Sequence, residues 1–165
     1  MLGPARLGQL ALLLACLAAG CSDPLVEATG AGDRVAAEVT KHTDGDTLWL
    51  SGIGKVRLIG VDTPEVFGGA ECFGRQASAF VERLLPLGSR VRYRLGVDER
   101  DRYGRALAYV WLDDGRFLNR LLVARGFAQP LTVPPNVEFA GDFLSASERA
   151  REAGRGLWGR AGCSG

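Results

Sequence analysis

Histidine is nearly missing from this chain: of 165 residues only His42 carries an imidazole. A mechanism that shares protons between two histidines is therefore excluded, and one imidazole is too few for the usual zinc site. His42 itself reads as a strand or turn residue without a chemical task. No G-x-S-x-G occurs, so the nucleophile elbow of a serine hydrolase is missing. No C-x-x-C occurs either, and Gly52-x-Gly54 lacks the third glycine of a dinucleotide fingerprint. Lysine is almost as scarce. Only Lys41 and Lys55 are lysines among 20 basic side chains, which face 19 acidic ones. With a formal net charge of +1 and no basic run, recognition of an anion must be local. The apolar run at residues 10–19 is too short to span a membrane.

What is present describes a globular chain of one domain, 47% hydrophobic and 24% charged. Arg6, the apolar run and the small residues before Cys21 form an export signal. Leu17-Ala18-Ala19-Gly20-Cys21 resembles a bacterial lipobox, which makes residues 1–20 a lipoprotein signal peptide and Cys21 an acylated N-terminus. An ordinary cleaved signal is the alternative, and Cys16 is a second, weaker candidate. Residues 21–33, small and polar, read as a tether. The expectation is an exported cell-envelope lipoprotein, facing the periplasm or the outer surface and held to a membrane by lipid. Cys72 and Cys163 remain. In an oxidising compartment a disulfide between them is expected, with two free thiols as the alternative.

Along the domain, alternation predicts strands at 34–43, 47–50, 55–61, 91–95 and 106–112. Asp44-Gly45 makes the first turn. Helical spacing predicts helices at 73–85, 118–125 and 139–150, with Gly126 and Gly154 beyond two of their ends. Short strands interrupted by a helix and followed by helices make a β-rich α+β fold and fit a five-stranded barrel of the OB type with three α-helices.

The stretch that organises the chain is V-R-L-I-G-V-D-T-P-E at residues 56–65, with D-G-D-T at 44–47. An apolar strand ends abruptly in carboxylates, which are costly to crowd unless a cation or donors meet them. Asp46, Asp62 and Thr63 offer oxygen ligands with no histidine beside them, a set that suits a hard cation such as Ca²⁺. Turn chemistry alone also accounts for Asp-Gly and Asp-Thr-Pro. Arg57 lies inside the apolar strand, and Arg105 lies in D-R-Y-G-R at 101–105. Two guanidinium groups over one mouth would grip phosphate oxygens and stabilise charge growing there. Each also has the plainer reading of a surface charge. Glu65 is free to orient or deprotonate water, or to support a metal-bound water.

These three motifs resemble the staphylococcal nuclease (thermonuclease) family. Weaker agreement continues through 119–128 and the G-L-W at 156–158, so the resemblance covers a domain at 34–160 followed by a short tail at 161–165. It implies an OB-type barrel with three helices. It also implies Ca²⁺-dependent hydrolysis of phosphodiester bonds in DNA and RNA, leaving 3′-phosphates. By motif position, Asp46, Asp62 and Thr63 fall on calcium ligands, Arg57, Glu65 and Arg105 on catalytic residues, Asp44 on a supporting acid and Tyr103 on a tyrosine near the nucleotide phosphate. The expected partners are a nucleic acid substrate and a membrane, and the domain is expected to act as a monomer. One departure is L-T-V-P-P at 131–135, where the family type enzyme packs the base on tyrosines. Another is charge: without residues 1–20 and their one Arg the chain is about neutral, which predicts a shallow salt dependence of substrate binding. The rival readings are a catalytically inactive OB-type binding module at the cell surface and a calcium-stabilised structural domain.

Overall fold

The computed structural model describes residues 34–66, 71–159 and 163. The expected signal peptide, Cys16, the lipidation site Cys21 and the tether lie outside them. Five strands close into a barrel in the order β1-β2-β3-β6-β5, as the OB-type reading expects. They are β1 (Val35–His42), β2 (Thr47–Leu50), β3 (Gly54–Leu58), β5 (Arg90–Arg100) and β6 (Ala106–Leu112). β1 serves both ends of the sheet: residues 35–38 pair with β5, and residues 39–42 pair with β2. An irregularity between Val39 and Lys41 lets the strand turn that corner. β3 and β6 pair in parallel and bring Arg57 opposite Leu107. The barrel is filled by Val39, Leu48, Leu50, Val56, Leu58, Val91 and Val110, which are essentially without exposure.

Three helices cover the barrel: α1 (Gly74–Leu84), α2 (Leu118–Ala124) and α3 (Ala140–Glu152). Nearly every residue of β6 is buried, because both of its faces are covered. Outside it Tyr109, Trp111, Phe117, Phe139 and Phe143 interlock, with Trp111 stacked on Phe117 at 4.7 Å. Asn119 is wholly buried on α2. Its Oδ1 accepts the Val110 amide at 3.0 Å and its Nδ2 donates to the Ile59 carbonyl at 2.8 Å. One side chain thus ties α2, β6 and the chain beyond β3 together.

The third strand does not run to Val61 as alternation predicts. It ends at Leu58, and Gly60 turns the chain at φ 78°, a conformation that side chains disfavour. A Cβ at Gly60 would also run into the Phe143 ring. Val61–Asp62 then forms β4, which pairs with β7 (Gln129–Pro130) in a separate two-stranded ribbon. Asp62 therefore stands off the barrel, opposite Gln129. β5 is longer than predicted and runs to Arg100, because Arg100 pairs with Ala106 across the hairpin. Cys72 and Cys163 are bonded to each other and close 91 residues of chain. In the loop-entropy picture such a bond stabilises by about 4 to 5 kcal/mol.

Candidate active site

The turn between β1 and β2 is built by its own acids. The Asp46 amide donates to Asp44 Oδ1 at 3.1 Å, a local bond typical of aspartate in turns. The Asp46 carbonyl accepts the Leu58 amide at 2.9 Å, which docks the turn on β3. Asp46 points inward and is 5% exposed, so its carboxylate must be satisfied by protein. Its Oδ1 accepts Thr47 Oγ1 at 3.0 Å. Its Oδ2 accepts the Thr63 amide at 2.8 Å and Thr63 Oγ1 at 3.1 Å. Seventeen residues of sequence are bridged by that one oxygen. Gly45 makes the approach possible: a Cβ there would lie 2.9 Å from Thr63 Cγ2 and 3.1 Å from the Ala77 Cβ.

Arg57 crosses the same space from β3. Its Nη1 lies 3.1 Å from Asp46 Oδ2 and donates to the Val61 carbonyl at 2.7 Å and the Leu58 carbonyl at 3.0 Å. Its Nη2 meets Asp62 Oδ1 at 2.7 Å. The guanidinium thus both fixes the sharp turn around Gly60 and joins two carboxylates. The carboxylates still outnumber it. Burial, followed by the neighbouring Asp46, pushes Asp44 up to about 6. Burial also raises Asp62, with Arg57 opposing and Asp46 and Glu71 adding to the rise. Crowded carboxylates with raised proton affinity and no nitrogen or sulfur ligand suit a hard cation. Among the described residues no three His, Cys, Asp or Glu side chains meet as a ready-made metal cage. The donor set is two carboxylates and a threonine, a partial shell that water and substrate oxygens would complete.

Arg105 faces the same mouth. A cleft of about 230 Å³ is lined by Arg57 and Arg105 together, with Asp98, Asp101, Leu131, Val133 and Pro134 among its other walls. Asp101 sets the position of Arg105: Oδ2 accepts Arg105 Nε at 2.6 Å, while Oδ1 accepts the Arg105 and Tyr103 amides at 2.9 Å each. Partial desolvation pushes the Asp101 carboxyl up, but these bonds outweigh it and hold the group below the usual carboxylate range. A lowered folded pKa contributes stability at pH above the unfolded value, lost as pH falls through the folded one. The Arg105 Nε–H resonance is therefore expected to titrate at a lower pH than an unpartnered aspartate would give, with no change around neutral pH.

Tyr103 is 68% exposed and lies beside Arg105 and Arg102, with guanidinium carbons 5.5 and 5.0 Å from its ring centre. It does not line the cleft. Glu65 is exposed. Its backbone is clamped by Glu71, whose Oε2 accepts the Glu65 amide at 3.1 Å and whose own amide donates to the Glu65 carbonyl at 2.8 Å. Among the described residues no partner holds the Glu65 carboxylate. The structure thus joins Asp44, Asp46, Asp62 and Thr63 to Arg57 through hydrogen bonds and ion pairs and sets Arg57 and Arg105 on one cleft, while Glu65 and Tyr103 belong to neither group. Sequence reasoning missed Asp101 and Asn119 as positioning residues. A lone amide on the apolar face of α2 was the available signal for Asn119; Asp101, inside a charged loop, gave none.

Residues 55–160 match the family described as staphylococcal nuclease homologue. The chain belongs to the staphylococcal nuclease family. Thermonuclease from Staphylococcus hyicus is 35% identical over 127 residues, spanning 73% of this chain and 74% of the relative. Thermonuclease from Staphylococcus intermedius is 37% identical over 128 residues, spanning 74% and 75%. Endonuclease YhcR of Bacillus subtilis (strain 168) is 30% identical over 134 residues, which cover 73% of this chain but 11% of that protein. The matched family segment contains Arg57, Asp62, Thr63, Glu65, Tyr103 and Arg105, whereas Asp44 and Asp46 precede it. In this member of the staphylococcal nuclease family, the turn bearing Asp46 reaches the matched segment through the bonds to Thr63 and Leu58.

Proposed function

We propose that this chain is a calcium-dependent nuclease, exported and anchored to a membrane through Cys21, that hydrolyses DNA or RNA to 3′-phosphate products as a monomer. Its family makes it a hydrolase acting on phosphodiester bonds. The observation that carries the finer reading is the Asp46 carboxylate, bonded at once to the Thr63 segment and to Arg57, with Arg105 sharing the adjoining cleft. Asp46, Asp62 and the Thr63 oxygen would hold Ca²⁺. Bound there, the ion would act as a Lewis acid toward a phosphoryl oxygen and make water a better nucleophile. Arg57 and Arg105 would bind the other phosphoryl oxygens and stabilise the charge that grows on them in the pentacovalent transition state. Asp44 would keep the Asp46 turn in shape. Glu65, exposed and without a carboxylate partner among the described residues, is free to orient a water or take its proton. Tyr103 would flank the phosphate beside Arg105.

Plasmid digestion with Ca²⁺, without it and with a chelator tests the reading. Digestion should require calcium and stop when it is chelated; no digestion under any condition would overturn the proposal and favour an inactive binding module. Glu65→Gln should lower turnover about 100-fold with an unchanged melting temperature, and full turnover would remove Glu65 from the mechanism.

A further inference from the structure

A second groove, of about 390 Å³, lies along α1 and is lined by Phe73, Arg75, Gln76, Ala79, Arg83 and Phe127. We infer that it binds a single-stranded stretch of the nucleic acid beside the cleavage site, with a base against Phe73 and phosphates on Arg75 and Arg83. The inference rests on the nuclease reading above.

The groove has the two features a single strand needs, a stacking platform and fixed positive charge. Phe73 ends a ladder of rings: it stacks on Phe127 at 5.5 Å and 26°, and Phe127 stacks on Phe80 at 4.3 Å and 17°. Ala77 and Val81 of the same helix are buried, so the ladder is backed by the core. Phe73 takes φ 70°, a left-handed conformation that costs about 1 to 2 kcal/mol in a residue other than glycine. Arg75 and Arg83 are exposed, and among the described residues neither has an ion-pair partner. Glu82, also exposed on α1, does not line the groove, so no carboxylate does. The two arginines are two helical turns apart, about 12 Å along the axis. That covers several steps of a stacked strand at about 3.4 Å each.

The groove also leads to the site. Phe127 precedes by two residues Gln129, whose backbone pairs with Asp62. Gly74, next to Phe73, packs so closely on the loop after Asp62 that a Cβ there would lie 2.6 Å from the Glu65 carbonyl and 2.8 Å from the Pro64 carbonyl, so a strand held at Arg57 has Phe73 near its path. A neutral enzyme without tyrosines at residues 131–135 would gain substrate affinity here.

The test compares the full chain with Arg75→Gln/Arg83→Gln on a 12-nucleotide single strand and on a dinucleotide, in Ca²⁺, over a range of salt. Loss of two phosphate contacts should lower the slope of log KM against log salt by about 1.4 for the long strand. Turnover of the dinucleotide should stay within about twofold. An unchanged slope on the long strand, or an equal rise in KM on both substrates, overturns the groove. Failure of the nuclease reading looks different, because wild type then cleaves neither substrate. In that case fluorescence anisotropy of the labelled strand, with calcium chelated, still reads the same change of slope or its absence. Phe73→Leu should weaken the long strand about fivefold or more if a base stacks there; unchanged affinity removes the platform.

Discussion

Arg57→Ala is expected to lower turnover by about two to three decades, the usual loss when one donor to a developing oxyanion is removed. Arg57 also holds the backbone and the acids around it. It donates to the Leu58 and Val61 carbonyls and joins Asp46 to Asp62. Without it the chain around Gly60 loses its brace, and the buried Asp46 carboxylate loses its positive neighbour. Breaking a buried pair by removing one member typically costs about 3 to 5 kcal/mol, so melting should fall as well. Arg57→Lys separates the two effects. Lysine keeps the charge but not the fork that reaches two carbonyls and two carboxylates. Its melting temperature should recover further than its turnover. The checks are kcat on a defined oligonucleotide and thermal melting of the same preparations. Wild-type turnover in Arg57→Ala would end the assignment of the mouth as the catalytic site.

Gly45→Ala is expected to damage the site from a position that bears no chemistry. Its new methyl group would lie 2.9 Å from Thr63 Cγ2, 3.0 Å from Thr63 Oγ1 and 3.1 Å from the Ala77 Cβ. Thr63 must then retreat from Asp46, and its two bonds to Oδ2 stretch. Overpacking of this kind costs about 1 to 3 kcal/mol, so the calcium concentration for half-maximal activity should rise about tenfold or more. Thr63→Ser removes the nearest of the three contacts, Cγ2, and keeps the hydroxyl. The double variant should therefore recover much of the loss, a non-additivity that direct contact predicts. A calcium titration of activity for the two single variants and the pair reads this. Strict additivity would show that the two loops do not press on each other through Gly45.

Much of the barrel was legible because its strands alternate and its turns carry glycine and aspartate. β2 and β6 lie where the pattern puts them. Periodicity carries the third strand too far because Leu58, Ile59 and Val61 are apolar on both sides of Gly60 and show no break there. The break comes from Phe143 of α3, more than 80 residues away, which occupies the space a Cβ would need. Alternation ends β5 too early because Asp98, Glu99 and Arg100 look like loop residues, while Arg100 pairs with Ala106 and the Asp98 amide is held by Asn136 Oδ1 across an irregularity in the register.

The candidate site divides in the same way. Residue types and local order by themselves determined the candidate groups: oxygen side chains without histidine, two arginines in motif contexts, a glutamate just after the proline, and the family these motifs resemble. Only the tertiary structure decided that Asp46 and Thr63 share one bond network, that Asp62 stands on a ribbon with Gln129, and that Asp101 rather than substrate positions Arg105. The reason is physical. Chemistry of a side chain is local to its residue, but a site is a set of distances, and those depend on barrel closure and on which side chains fill the gaps between segments.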